Sequence, residues 1–324
     1  MSPTLHDATD FHALRTAARN AARGHKRKPE TAAFLCTLET EVLQLQRELR
    51  SGSYRPGPFQ TFRIRDPKPR TISAAPFRDR VVHHALCAVL EPTFEARADP
   101  DSFACRVGKG NRAAVWRLQR LTRAWRWYAK LDVERYFETL PLSRLLDLLR
   151  TLFDDGPLLD AVDVVLRAGS EDGETGLPIG NLTSQHFANL YLGELDRFAR
   201  TSGVGGLVRY MDDVVVLGTD KASVAGLARA IAQQLEALGL RDKASARRLG
   251  PVHIGVPFLG FRVWPHRIRV DRAARHRLLQ KLRRPPRGQS ESEVQVRQTS
   301  LAAWAAHGDT RGLLATVAAE PAPE

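Results

Sequence analysis

Two acidic residues, Asp212 and Asp213, stand side by side between two apolar runs, Leu207 to Tyr210 and Val214 to Leu217. Aspartate is common in tight turns, so the pair alone has a plain structural explanation. A third carboxylate gives it chemical meaning. Asp132 closes a stretch in which Trp127, Ala129 and Leu131 alternate with their neighbours, the period of a strand, and the aromatic pair Tyr136 and Phe137 follows it. If the two strands are neighbours in one sheet, the three carboxylates converge. Like charges so gathered repel unless cations lie between them, and hard oxygen ligands with open positions suit two Mg²⁺ ions, with Mn²⁺ as a substitute. Two such ions, about 3.5 to 4 Å apart, activate an attacking 3′-hydroxyl and stabilise a leaving pyrophosphate.

The composition points to a substrate of the same kind. The chain has 324 residues, 43% of them apolar, which excludes intrinsic disorder and is enough for two or three subdomains. Lys and Arg number 49 against 36 Asp and Glu, a formal charge of +13. That excess predicts a polyanionic partner, nucleic acid before an anionic membrane. Cys36, Cys87 and Cys105 have no CxxC spacing and the ten histidines form no ligand-like cluster, so a disulfide framework or zinc module is not expected. No run of about 18 apolar residues occurs, so the protein is expected to be soluble, unprocessed and cytoplasmic, without a membrane partner.

The elements that must position the carboxylates follow from periodicity. Leu35, Leu38, Val42, Leu45 and Leu49 predict one amphipathic helix over 31–50, ended by Ser51 and Gly52. Residues 54–72, broken by four prolines, read as short strands and turns. Helices are predicted over 80–90, 142–149, 158–166, 190–198 and 224–238, with an acidic, Gly-rich loop at 169–176. The runs flanking Met211, Asp212 and Asp213 have the spacing of a hairpin with a three-residue link. Two short strands are expected in 257–270, then a basic helix over 272–284, a Pro285-Pro286 break and a last helix around 301–314.

Six blocks in order now form a pattern: 65–86 (RDPKPRTISAAPFRDRVVHHAL), 101–115 (DSFACRVGKGNRAAV), 130–140 (KLDVERYFETL), 176–192 (GLPIGNLTSQHFANLYL), 209–218 (RYMDDVVVLG) and 257–261 (PFLGF). Over nearly its whole length the chain resembles the reverse transcriptases. Within that family, IGNLTSQ at 179–185 looks like the enzymes of diversity-generating retroelements. Most relatives carry Gln-Gly and Ser-Pro where this chain has Ile179-Gly180 and Ser184-Gln185. Retron and group II intron enzymes usually have alanine where this YMDD box has Met211.

The resemblance implies an α+β, right-hand polymerase fold of fingers, palm and thumb, with an antiparallel palm sheet packed on helices and a helical thumb. Residues 1–50 would be an N-terminal helical extension, 51–125 the fingers, 126–270 the palm with a fingers-like helical insertion at about 142–185, and 271–324 the thumb. Asp132, Asp212 and Asp213 match the catalytic metal ligands, and Val133 would add a backbone carbonyl. Lys68 and Arg70 match residues that grip the triphosphate, where cations neutralise the β and γ charges. Phe137 matches the aromatic gate that excludes a 2′-hydroxyl, and Ile179, Gly180 and Gln185 fall in the block beside the incoming nucleotide. Lys243 is a candidate general acid toward pyrophosphate, in a block that matches the family poorly. Arg272, Arg275, Arg277, Lys281 and Arg283 would track the backbone of an RNA:DNA duplex.

The expected function is error-prone copying of a template-repeat RNA into cDNA. The implied partners are template RNA, the RNA:DNA hybrid, dNTPs and a small basic accessory variability protein. Two other readings stay open: a retron-like or phage-defence reverse transcriptase, and a catalytically silent RNA-binding scaffold.

Overall fold

The computed structural model describes residues 2–64, 69–203, 205–283 and 290–310. The chain divides into two compact units, one of Met1–Asp99, Val133–Leu195 and Leu235–Arg241, the other of Pro100–Asp132, Asp196–Gln234 and Asp242–Glu324.

The first unit is mainly helical. The single helix expected over 31–50 is two, Pro29–Cys36 and Leu38–Arg50, because Thr37 leaves helical geometry (φ −115°, ψ 31°). Glu39 and Glu41 in the first turn of the second helix favour a fresh start there, their charge facing the positive end of the helix dipole. Val42, Leu45 and Leu49 are buried, as the stripe requires. The helix expected over 80–90 runs from Phe77 to Arg97 with Pro92 inside it, its buried face carrying Val81, Val82, Ala85, Leu86 and Leu90. Aromatic edges lock this core: Phe94 meets Phe153 at 6.0 Å and Phe187 at 5.7 Å between ring centroids. Strands β1 (Gln60–Ile64) and β2 (Arg70–Ala74) form an antiparallel ribbon, with Ile64 opposite Arg70.

The second unit holds two antiparallel sheets. One contains β3 (Trp127–Asp132), β4 (Gly206–Tyr210), β5 (Asp213–Gly218) and β6 (Arg248–Pro251) in the order β4-β5-β3-β6. The hairpin link is two residues, Met211 and Asp212, not three, because Asp213 already pairs with Tyr210. Met211 takes a left-handed conformation (φ 52°) that makes so short a reversal feasible. The other sheet is a three-stranded meander, β7 (Val256–Phe258), β8 (Phe261–Val263) and β9 (Ile268–Val270), where two strands were expected. Three-residue strands are too short to display an alternation, and only their mutual pairing defines them.

The core of this unit lies between the sheets and helix Asn111–Ala124. Val115, Leu118 and Leu121 pack with Tyr128, Val208, Val215 and Leu217 and with Phe258 and Phe261 of the meander. The last described helix is Glu291–Ala305, ten residues before the expected start, because Ser290 and Glu293 form a reciprocal capping box. Residues 311–314 of the expected helix lie outside the described residues. The chain is thus a mixed helix and sheet protein with antiparallel sheets, as the α+β reading expects. Among the described residues no helix is long and apolar enough to cross a membrane.

Candidate active site

In the second unit, β3 lies between β5 and β6, and its register with β5 ends on the pair Asp132 and Asp213. Residues directly opposite in an antiparallel pair point to the same face, so these carboxylates stand together at one end of the sheet. Asp212 occupies the adjoining turn, and all three are half-buried. Like charges directly opposite one another destabilise a sheet, so the pairing calls for a cation. Lys130, two residues before Asp132 and therefore on its face, supplies one: its Nζ lies 2.7 Å from Asp213 Oδ1. The donor set of hard carboxylate oxygens at a shared sheet end fits Mg²⁺ in chemistry. Among the described residues no three such side chains are yet gathered as a ready metal cage.

Lys243 joins this site through its backbone, its N–H donating to the Asp132 carbonyl oxygen at 2.7 Å. This hydrogen bond sets the segment around Lys243 at the end of β3. The guanidinium of Arg247 holds the neighbouring Asp242 at 2.6 Å.

The first unit gathers a second set. Arg70 begins β2 and is exposed. Three residues on, the Ser73 N–H donates to the Ile179 carbonyl oxygen at 3.0 Å. The buried Asn181 side chain closes the same junction, its Nδ2 donating to the Ser73 oxygen at 2.8 Å. Gly180 passes so close to β2, at φ 111°, that a Cβ there would come within 2.8 Å of Ile72 Cγ2. Here glycine answers both the backbone conformation and the space.

The same loop also pins Phe137. Its carbonyl accepts from the Leu177 N–H at 2.6 Å, and Gly176 approaches the Glu138 carbonyl so closely that an added Cβ would lie 3.0 Å away. The half-buried Phe137 ring rests edge-on against Tyr136, 5.6 Å between centroids. The Tyr136 hydroxyl donates to the Ala188 carbonyl at 2.5 Å. Val133 is buried. Gln185 lies in the first turn of helix Leu182–Thr201. Lys68 falls outside the described residues.

The basic helix runs Arg272–Arg283, with Ala274 and Leu278 buried and Arg272, Arg275 and Arg277 exposed. Lys281 is half-buried, and the Arg283 side chain lies outside the described residues. Of the residues that bear on the site, periodicity overlooked Lys130 and Asn181. Strand parity with Asp132 was the available signal for the lysine. Asn181 had none beyond lying within the IGNLTSQ block.

A strand-end carboxylate registered against a carboxylate hairpin is an arrangement of hard oxygen donors suited to divalent cations. Residues 64–262 match the family model described as reverse transcriptase (RNA-dependent DNA polymerase), and the chain belongs to that family. It is similar to the group II intron-encoded protein LtrA of Lactococcus lactis, 24% identical over 169 residues, covering 49% of this chain and 28% of LtrA. It is also similar to protein YkfC of Escherichia coli, 27% identical over 187 residues, covering 53% of this chain and 49% of YkfC. Nuclear intron maturase 2 of Arabidopsis thaliana is 28% identical over 109 residues, 32% of this chain and 15% of the maturase. The chain thus spans about half the length of YkfC and less than a third of the other two.

Proposed function

We propose that the protein is an RNA-templated DNA polymerase of a diversity-generating retroelement, making error-prone cDNA from a template-repeat RNA. The observation that carries the polymerase reading is the cross-strand pair of Asp132 and Asp213 beside Asp212, within a chain of the reverse transcriptase family. In this reading residues 51–125 are fingers, 126–270 palm and 271–324 thumb, with 1–50 a helical extension.

Asp132, Asp212 and Asp213, with the Val133 carbonyl, would hold the two Mg²⁺ ions. When bound, these ions supply the charge that activates the primer hydroxyl and stabilises the pyrophosphate. Arg70, and Lys68 with it, would orient the triphosphate. The Phe137 ring would exclude a ribose 2′-hydroxyl, its backbone held by Leu177 so that the ring edge keeps its place. Lys243, tethered to Asp132 through its backbone, would donate a proton toward the leaving pyrophosphate. The exposed arginines of the helix Arg272–Arg283 would follow duplex phosphates, which makes binding steeply salt-dependent.

The diversity-generating subtype rests on the 179–185 block, with Ile179-Gly180 and Ser184-Gln185, and on Met211, the two departures from the commoner pattern. A small basic accessory variability protein would then be its partner. The similarity to intron-encoded proteins favours a second reading, a reverse transcriptase of an intron-like element. Sequencing the cDNA made from the RNA encoded beside the gene separates the two. Errors concentrated opposite template adenines support the retroelement, and uniform faithful copies support the intron-like enzyme. Absence of Mg²⁺-dependent primer extension on RNA would leave a binding scaffold.

A further inference from the structure

Arg209, three residues before Asp212, is one of the largest fully buried side chains among the described residues. Its guanidinium grips Asp196 with two parallel bonds, Nε to Oδ1 at 2.8 Å and Nη2 to Oδ2 at 2.7 Å, and both side chains are only 1% exposed. A third arm reaches forward, Nη1 donating to the Met211 carbonyl oxygen at 3.2 Å. Met211 is the left-handed residue of the two-residue turn, so this contact lands on the strained peptide that leads into Asp212.

The backbone of Arg209 is tied down as well. The Arg209 N–H donates to the Asp101 carbonyl at 2.9 Å, and its own carbonyl accepts from the Phe103 N–H at 3.0 Å. The buried Asp101 carboxylate in turn receives Arg117 at 2.6 Å and Arg200 at 2.7 Å. Asp196 and Arg200 are one turn apart on helix Leu182–Thr201, so one helix holds the Arg209 guanidinium directly and its backbone through Asp101.

A buried ion pair contributes little stability beyond what apolar residues of the same volume would, since desolvation offsets most of the attraction. What it provides is direction: a planar fork fixes a geometry that valine or leucine would leave loose. We infer that Arg209 is a positioning residue, which with Asp196 clamps the Met211 carbonyl and so sets where Asp212 presents its carboxylate. This rests on the reading of Asp212 as a metal-binding carboxylate of a polymerase.

The test compares wild type with Arg209→Lys and with the double variant Asp196→Leu/Arg209→Met. Lysine can satisfy Asp196 but has no fork to reach Met211 as well. The double variant replaces the pair without stranding a buried charge, and its melting temperature should stay within about 3 °C of wild type. In both, amide hydrogen exchange over 210–213 should quicken by about tenfold or more, a readout that needs neither metal nor turnover. The kcat for single-nucleotide addition on an RNA template should fall by about tenfold to a hundredfold. The KM for the nucleotide should move by less than about threefold.

Unchanged exchange over 210–213 in either folded variant overturns the inference, as does a wild-type kcat in Arg209→Lys. Faster exchange in the variants of a wild type that never extends a primer would uphold the clamp and sink the polymerase reading. Should the double variant fail to fold, Arg209→Lys decides on both readouts.

Discussion

Lys130 Nζ stands 2.7 Å from Asp213 Oδ1, on the strand whose end carries Asp132 directly opposite that same aspartate. The ammonium supplies positive charge beside two facing carboxylates. Lys130→Met should leave the paired carboxylates unrelieved and lower stability in EDTA by about 0.5 to 1 kcal/mol, while millimolar Mg²⁺ restores most of the loss. Thermal melts with and without Mg²⁺ measure this. Equal destabilisation in both conditions would mean that lysine and metal do not serve the same carboxylates.

Asp212→Asn keeps the shape of the turn residue and removes its charge. Nucleotide addition should fall by about a thousandfold or more, because an amide is a poor ligand for a hard cation, while RNA binding is nearly unchanged. Primer extension and filter binding read the two quantities. More than a few per cent of wild-type extension, or a parallel loss of RNA binding, removes Asp212 from the metal site.

Phe137→Ala should admit ribonucleotides. The Leu177 N–H that pins residue 137 bonds to its backbone, so truncation removes the ring without releasing the segment. Steric overlap with the 2′-hydroxyl is the whole of the discrimination assigned to this residue, and it should vanish with the ring. Competition between dATP and ATP in single additions checks it, and unaltered selectivity places the gate elsewhere.

Ile179→Gln should lower misincorporation opposite template adenine more than opposite the other bases. The residue's tie to Ser73 runs through its carbonyl and survives the change. A side-chain amide able to read the nascent pair is worth about 1 to 3 kcal/mol of discrimination. Deep sequencing of cDNA from both proteins on one RNA provides the comparison, and an active variant with the same adenine error rate argues against the role.

His83 gives the first unit an acid-sensitive point. Burial, and secondarily the charges of His84 and Arg80, push it down to about 4. Its Nδ1 finds no protein partner among the described residues. The folded state therefore holds the neutral ring, and as pH falls below about 6.5 the unfolded chain takes up the proton first. Stability present above that value is lost toward pH 4, by about 2 kcal/mol between pH 7 and pH 5. His84 and His186, also lowered by burial, add to the slope. Urea unfolding of His83→Leu at the two pH values should show a shallower dependence, and an identical slope would relocate the effect.

The chemistry at stake was legible in the sequence because it depends on residue identity and local order. A carboxylate ending an alternating run, two more between apolar runs, and six ordered blocks need no tertiary information to be seen. Their meeting needed it. Asp132 and Asp213 become neighbours only because β3 pairs with β5 across some eighty residues, and pairing partners leave no trace in local periodicity. The helix break at Thr37 and the meander of three-residue strands escaped for the same reason, since each is decided by what packs or pairs against it.

Arg209 marks the boundary most clearly. By composition it is one more cation in an excess suited to nucleic acid, yet its side chain is 1% exposed and bonded to Asp196. Charge count is a property of the chain, whereas whether a charge faces solvent or a buried carboxylate depends on which elements fold over it. The sequence by itself determined the family, the carboxylates and the strands that carry them. The tertiary structure alone decided their register, the lysine that answers Asp213 and the buried fork behind the turn, because each is a contact between residues distant along the chain or a direction set by the folded backbone.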